Sequence, residues 1–217
     1  MIERYLTGVR LDEPGLEDPS GTRERLRDLF PRGATRRMTQ LGLLIGGVLH
    51  DLAPAEADTL VYASSFAENQ ALEDYLASFP NPSPTLFQTS IHPSAVQQVL
   101  IARQQAVREF FPLTGRRQLI AHGLLTALMG SGLRALFCGG EERGQWLHEH
   151  QMGSDESFAF AIALSRESAG AIGRLRLEQT GAGDGQLTLR EFFGVLRDRR
   201  PLRQLAAPGI ELELSWL

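Results

Sequence analysis

The pair Ser64-Ser65 follows an apolar run at residues 59–63, and a serine closing a buried strand can act as a nucleophile. The Gly-x-Ser-x-Gly frame of a nucleophile elbow is missing, so a polar pair ending a strand is the plainer reading. Cys138, the sole cysteine, sits in another apolar run behind Phe137, the setting of a buried, unreactive thiol. His148-Glu-His150 brings two imidazoles to one face only on a strand, and no third metal ligand accompanies them; they read as surface residues. Asp184-Gly-Gln-Leu-Thr-Leu-Arg-Glu191 resembles the closing half of a calcium loop. Its first two ligand positions would be Thr180 and Ala182, and alanine has no side-chain oxygen, so a capped helix after a glycine-rich turn is expected instead. Residues 181–185 do not lead from a strand into a helix at the spacing of a phosphate cradle. These residues assemble no catalytic constellation, metal site or cofactor site.

The elements that would position them alternate. A short strand is expected at 5–9, then a loop rich in proline, glycine and acid at 12–20. A helix starting near Arg36 places Met38, Leu41, Leu44, Ile45, Val48 and Leu49 at helical spacing, with Gly42, Gly46 and Gly47 allowing close packing. The run 59–63 reads as a buried parallel strand, and a helix follows over 68–79. Residues 80–84 break the chain before a further helix that ends near Gln105. Phe110-Phe-Pro-Leu113 and Gly115 precede a helix at 118–129; Gly130-Ser-Gly132 stops it, and 134–138 forms another buried strand. A strand at 158–164, a helix at 187–197 and an alternating edge strand at 210–216 complete the pattern. Strands alternating with helices predict an α/β layer fold with a mostly parallel sheet.

At 217 residues the chain is long enough for one full core, so residues 1–217 are read as a single domain. All 22 basic residues are arginine, scattered among 26 acidic ones for a formal charge of −4, which excludes the concentrated positive face that nucleic acid requires. One cysteine permits neither an internal disulfide nor a thiolate zinc cluster. No basic, then apolar leader opens the chain, and no stretch reaches the ~18 apolar residues of a membrane span. A cytoplasmic protein is expected.

Two segments carry a family resemblance. Val61-Tyr-Ala-Ser-Ser-Phe-Ala-Glu-Asn-Gln-Ala-Leu-Glu-Asp-Tyr-Leu76 and Pro82-Ser-Pro-Thr-Leu-Phe-Gln-Thr-Ser-Ile-His92 resemble the N-terminal region of β-ketoacyl synthases, in particular the short chain-length-factor-type branch. Arg36-Arg-Met-Thr-Gln-Leu41 is similar to the entry to that family's first long helix, and Ala135-Leu-Phe-Cys-Gly-Gly-Glu-Glu142 to the strand and glycine pair after its nucleophile helix. Where relatives carry an asparagine after the histidine, this chain has Pro93. The resemblance implies half of a thiolase-like (ketosynthase) fold, a mostly parallel mixed sheet with packed helices.

In condensing synthases a cysteine on a sharp turn at the start of the central helix takes the acyl chain as a thioester. The resemblance puts that turn at Gly115, Arg116 and Arg117, none of which can attack a thioester. It therefore implies no catalytic residue, no cofactor and no metal. It implies a chain-length-factor-like subunit that forms a heterodimer with a catalytic β-ketoacyl synthase, working on acyl carrier protein in a type II polyketide or aryl polyene pathway. Phe87, Ile91, His92, Val99, Phe110 and Phe111 are the expected interface or acyl-tunnel residues. An acyl or acyl-carrier-protein binding module without a role in condensation stays open, as does, more distantly, a thioesterase using Ser64 or Ser65.

Overall fold

The computed structural model describes residues 1–153, 155–181 and 183–217; Ala182, of the calcium-loop reading, lies outside the described residues. Among the described residues eight strands form one sheet: β1 (Ile2–Gly15), β2 (Thr59–Ser64), β3 (Glu109–Thr114), β4 (Arg134–Glu141), β5 (Ser157–Ser165), β6 (Gly173–Gln179), β7 (Leu202–Ala207) and β8 (Ile210–Trp216). Their spatial order is β3-β2-β4-β5-β1-β6-β8-β7. The α/β class holds, but the expectation of a mostly parallel sheet does not. Only β3–β2 and β2–β4 pair in parallel, and the other five pairings are antiparallel. Connection length explains part of this: β7 and β8 are joined through Pro208-Gly209, with Gly209 at φ +70°, and so short a link can only make a hairpin.

Helices cover both faces. α1 (Pro19–Leu26), α2 (Gln40–His50) and α5 (Ser94–Ala102) belong to one core, with Leu60, Tyr62, Leu136 and Cys138 of the sheet beneath them. α6 (Leu119–Met129) and α8 (Leu189–Arg197) belong to the other, over Val61, Ala63, Phe137 and Phe160. Strand β2 is buried along its whole length because alternate side chains feed the two cores, which is why it reads as a continuous apolar run. α3 (Asn69–Ala77), α4 (Pro84–Ser90) and the short α7 (Gln145–Glu149) complete the set.

Helix α2 shows how local sequence sets packing. Thr39 caps it, its Oγ1 accepting the Gly42 N–H at 3.0 Å. A Cβ built on Gly46 would lie 2.4 Å from Cζ of Phe30, so only glycine lets that ring lie against the helix. The helix expected from Thr85 to Gln105 is two helices: Pro93 lacks an N–H and holds the preceding backbone extended, dividing α4 from α5. The first strand runs to Gly15, through much of the expected loop, and α1 occupies the rest. Strand β8 is not an edge, since β7 flanks it.

Candidate functional site

The parallel strands β3, β2 and β4 end side by side at Thr114, Ser64 and Glu141, and the crevice beyond such carboxyl ends is where α/β sheets place ligand sites. The loop after β3 turns through Gly115, at φ +146°, into Gln118, which is left-handed at φ 60° and precedes α6 without a side-chain cap. Arg116 and Arg117 lie between them and are exposed. Arg116 stacks over the Phe66 ring at 5.6 Å, and its carbonyl accepts from Gln186 Nε2 at 3.1 Å. With Ser65, Glu141, Asp155, Glu156 and Arg190 these residues line a cleft of about 810 Å³.

Two consecutive glutamates, absent from the expectations above, close β4 on opposite sides. Glu141 accepts the Ser65 N–H at 2.9 Å through Oε1, while its buried Oε2 has no partner. Glu142 accepts from the N–H groups of Leu41, at 3.1 Å, and Gln70, at 3.2 Å, joining the starts of α2 and α3. Burial pushes each carboxyl up to about 7, against the hydrogen bonds that favour the charged form. The only hint in the sequence is two acids directly after a buried strand and two glycines.

Behind this crevice, on the α2 side, the His92 ring stacks on buried Tyr62 with centroids 5.0 Å apart. His92 Nδ1 lies 3.1 Å from Oε2 of Glu68, whose Oε1 accepts the Ala95 N–H at 2.9 Å. Tyr62 Oη, Ser64 Oγ and His92 Nε2 are buried without partners. Burial and the nearby Glu68 hold the Tyr62 phenol well above its ordinary range. Cys138 is fully buried, and desolvation pushes its thiol up, as its apolar surroundings in the sequence imply.

The six expected interface or tunnel residues do not form one surface. Phe87 and Ile91 are about half exposed, at 49% and 48%, and Phe111 is exposed on β3. Val99 is wholly buried against α2, where its Cγ2 lies 3.1 Å from the Cβ position of Gly46, and Phe110 packs on the same core. The Tyr75 ring contacts both Phe87, at 5.4 Å, and Phe79, at 5.5 Å between centroids. Thr188 and Glu191, from the calcium-loop motif, form a reciprocal capping box at the start of α8. His148 and His150 lie exposed at the end of α7, His148 bonding Asp155 at 3.2 Å. Among the described residues no group of three His, Cys, Asp or Glu side chains is placed to hold a metal ion, and no helix is long and apolar enough to cross a membrane.

No protein-family model matches the sequence, and no curated protein matches it either. Solved structures do. A chain of the complex between the ketosynthase ApeO and its chain length factor ApeC from Xenorhabdus doucetiae aligns at TM-score 0.67 and 19% identity, over 99% of this chain and 100% of that one. The ishigamide ketosynthase/chain length factor aligns at 0.58 and 13%, over 83% of this chain and 68% of that one. A β-ketoacyl synthase from Burkholderia phymatum STM815 aligns at 0.54 and 14%, over 88% and 67%. At these identities the likeness is one of backbone, and it establishes that the chain has the thiolase-like fold of the ketosynthases and their chain length factors.

Proposed function

We propose that this chain is a non-catalytic, chain-length-factor-like subunit that pairs with an active β-ketoacyl synthase to elongate acyl or polyene chains on acyl carrier protein, as in type II polyketide or aryl polyene pigment biosynthesis. The observation that carries this reading is the end-to-end alignment with a chain of the ApeO–ApeC complex, 99% of one and 100% of the other. The turn before α6 supports it: glycine, two arginines and a glutamine offer no group that could hold an acyl chain. In this reading residues 1–217 act as one unit in the cytoplasm, and the partner supplies the nucleophile.

Surface features agree with a partner. Among the described residues strand β3 pairs only with β2, which leaves its outer edge open, and Phe111 and Pro112 are exposed along it. On α3 and the segment after it Leu72, Leu76, Phe79, Phe87 and Ile91 are all exposed, apolar side chains of the kind a protein partner covers.

Co-expression with an active β-ketoacyl synthase of the same organism, followed by co-purification and intact mass spectrometry after incubation with acyl-loaded carrier protein, tests the reading. A heterodimer that carries the acyl group on the synthase alone is expected. A chain that stays monomeric beside every synthase of its pathway would reject the subunit role, and an acyl adduct on Ser64 or Ser65 would reject its catalytic silence.

A further inference from the structure

We propose that the cleft between the β3–α6 turn and the end of β4 binds a small carboxylate, held by Arg116 and Arg117 and accepting a hydrogen bond from the carboxyl of Glu141. This site goes beyond the subunit role and does not rest on it.

Other polar side chains of the cleft wall have partners. Arg190 pairs with Glu156 at 2.9 Å and with Glu13, and Asp155 bonds His148. Arg117 makes no hydrogen bond or ion pair among the described residues, and Arg116 has only the Phe66 ring against its guanidinium. Two positive charges thus remain at the mouth.

Glu141 is the independent observation. It lines the same cleft, only 4% exposed, with one oxygen on the Ser65 N–H and the other buried and unpartnered. A buried polar oxygen without a partner is rare and calls for a ligand or an ordered water. Burial pushes Glu141 to about 7, so near neutral pH the side chain often carries a proton that it can donate to a ligand oxygen. A carboxylate meets both features: its oxygens accept from the arginines, and a remaining lone pair takes the Glu141 proton.

Isothermal titration calorimetry of the full chain with sodium acetate, with sodium sulfate for comparison, tests the site at about pH 6 and about pH 8. Charged groups facing Glu141 are Arg116 and Arg117 from the turn, Asp155 and Glu156 before β5, and Arg190 of α8, with His148 reaching it through Asp155. Saturable acetate binding is expected, about tenfold weaker at the higher pH because the donated proton is lost. Glu141→Gln, which keeps a permanent donor, should bind equally at both. His148→Gln should retain the wild-type pH dependence, and the double variant Arg116→Ala/Arg117→Ala should lose about tenfold or more. Circular dichroism checks that each variant is folded. Absence of saturable acetate binding by the folded wild type would overturn the site. So would a pH dependence that survives in Glu141→Gln, one that vanishes in His148→Gln, or sulfate binding as tightly as acetate at both pH values.

Discussion

The Glu142 carboxyl accepts the Leu41 N–H at 3.1 Å, bridging 101 residues of sequence to fix the end of β4 against the first turn of α2. Its other oxygen holds the Gln70 N–H at the start of α3. One buried side chain therefore sets the relative position of two helices and the central sheet.

That arrangement has a pH signature. Glu141 and Glu142 are both raised from an ordinary 4.5 to about 7. Over that interval the unfolded chain loses these protons while the folded chain keeps them, so their contribution to stability falls as pH rises from about 4.5 to about 7 and then levels off. Carboxylates lowered by arginine or backbone partners, such as Glu13 and Glu17, act the other way and only at more acid pH. Urea unfolding should therefore show lower stability at about pH 8 than at about pH 5. Glu141→Gln keeps an acceptor for Ser65 and should reduce this loss. Glu142→Gln cannot accept from both Leu41 and Gln70 and should cost about 1–3 kcal/mol at either pH. A wild type more stable at the higher pH would contradict the account.

Gly46→Ala would drive a methyl into the Phe30 ring, 2.4 Å from Cζ, a contact that rigid neighbours cannot relieve. Overpacking of this kind costs about 1–3 kcal/mol, against a helix-propensity gain of about 1 kcal/mol for replacing glycine. Net destabilisation in urea unfolding is expected, with recovery when Phe30→Leu is added. A Gly46→Ala protein as stable as wild type would mean that Phe30 can leave its place at no cost.

On the subunit reading, Phe111→Arg places an unpaired charge on the open β3 edge at the point of contact with the synthase. Loss of about 2 kcal/mol or more in pairing is expected if Phe111 is central, seen as lost co-purification and reduced chain extension, with circular dichroism unchanged. Unchanged pairing and product would move the interface elsewhere.

Cys138 should resist alkylation in the native protein, because the thiol is fully buried and desolvation disfavours the thiolate. Iodoacetamide labelling followed by mass spectrometry should be slow under native conditions and rapid in urea. Rapid native labelling would show that β4 opens readily.

Strands buried on both faces were legible in the sequence, since Leu60 to Ala63 and Ala135 to Cys138 are apolar without interruption and need no outside information. Others were hidden by residues whose role depends on their neighbours. β3 contains Pro112, which an edge position tolerates and a sequence window does not. β6 and β7 carry arginine and glutamine on wet faces, and only their pairing with β1 and β8 makes them strands. The turn at Gly115 to Arg117 came from family resemblance rather than from chemistry. Glu141 and Glu142 escaped notice because acids after a glycine pair look like a solvated loop until the fold closes over them. Val99, expected at a surface or tunnel, is core because Gly46 removes the side chain that would have held it away from α2.

Pro112 also governs what can join the sheet. A proline in an edge strand turns its nitrogen outward, and residues 110, 112 and 114 share that outward phase. The free edge therefore offers carbonyl acceptors at all these positions but lacks the central donor. An incoming strand that spans this edge forgoes the bond from position 112, so it is held at the two ends of β3 and not at its centre. Two copies of this chain joined through their β3 edges would meet the same gap twice, which weakens that contact.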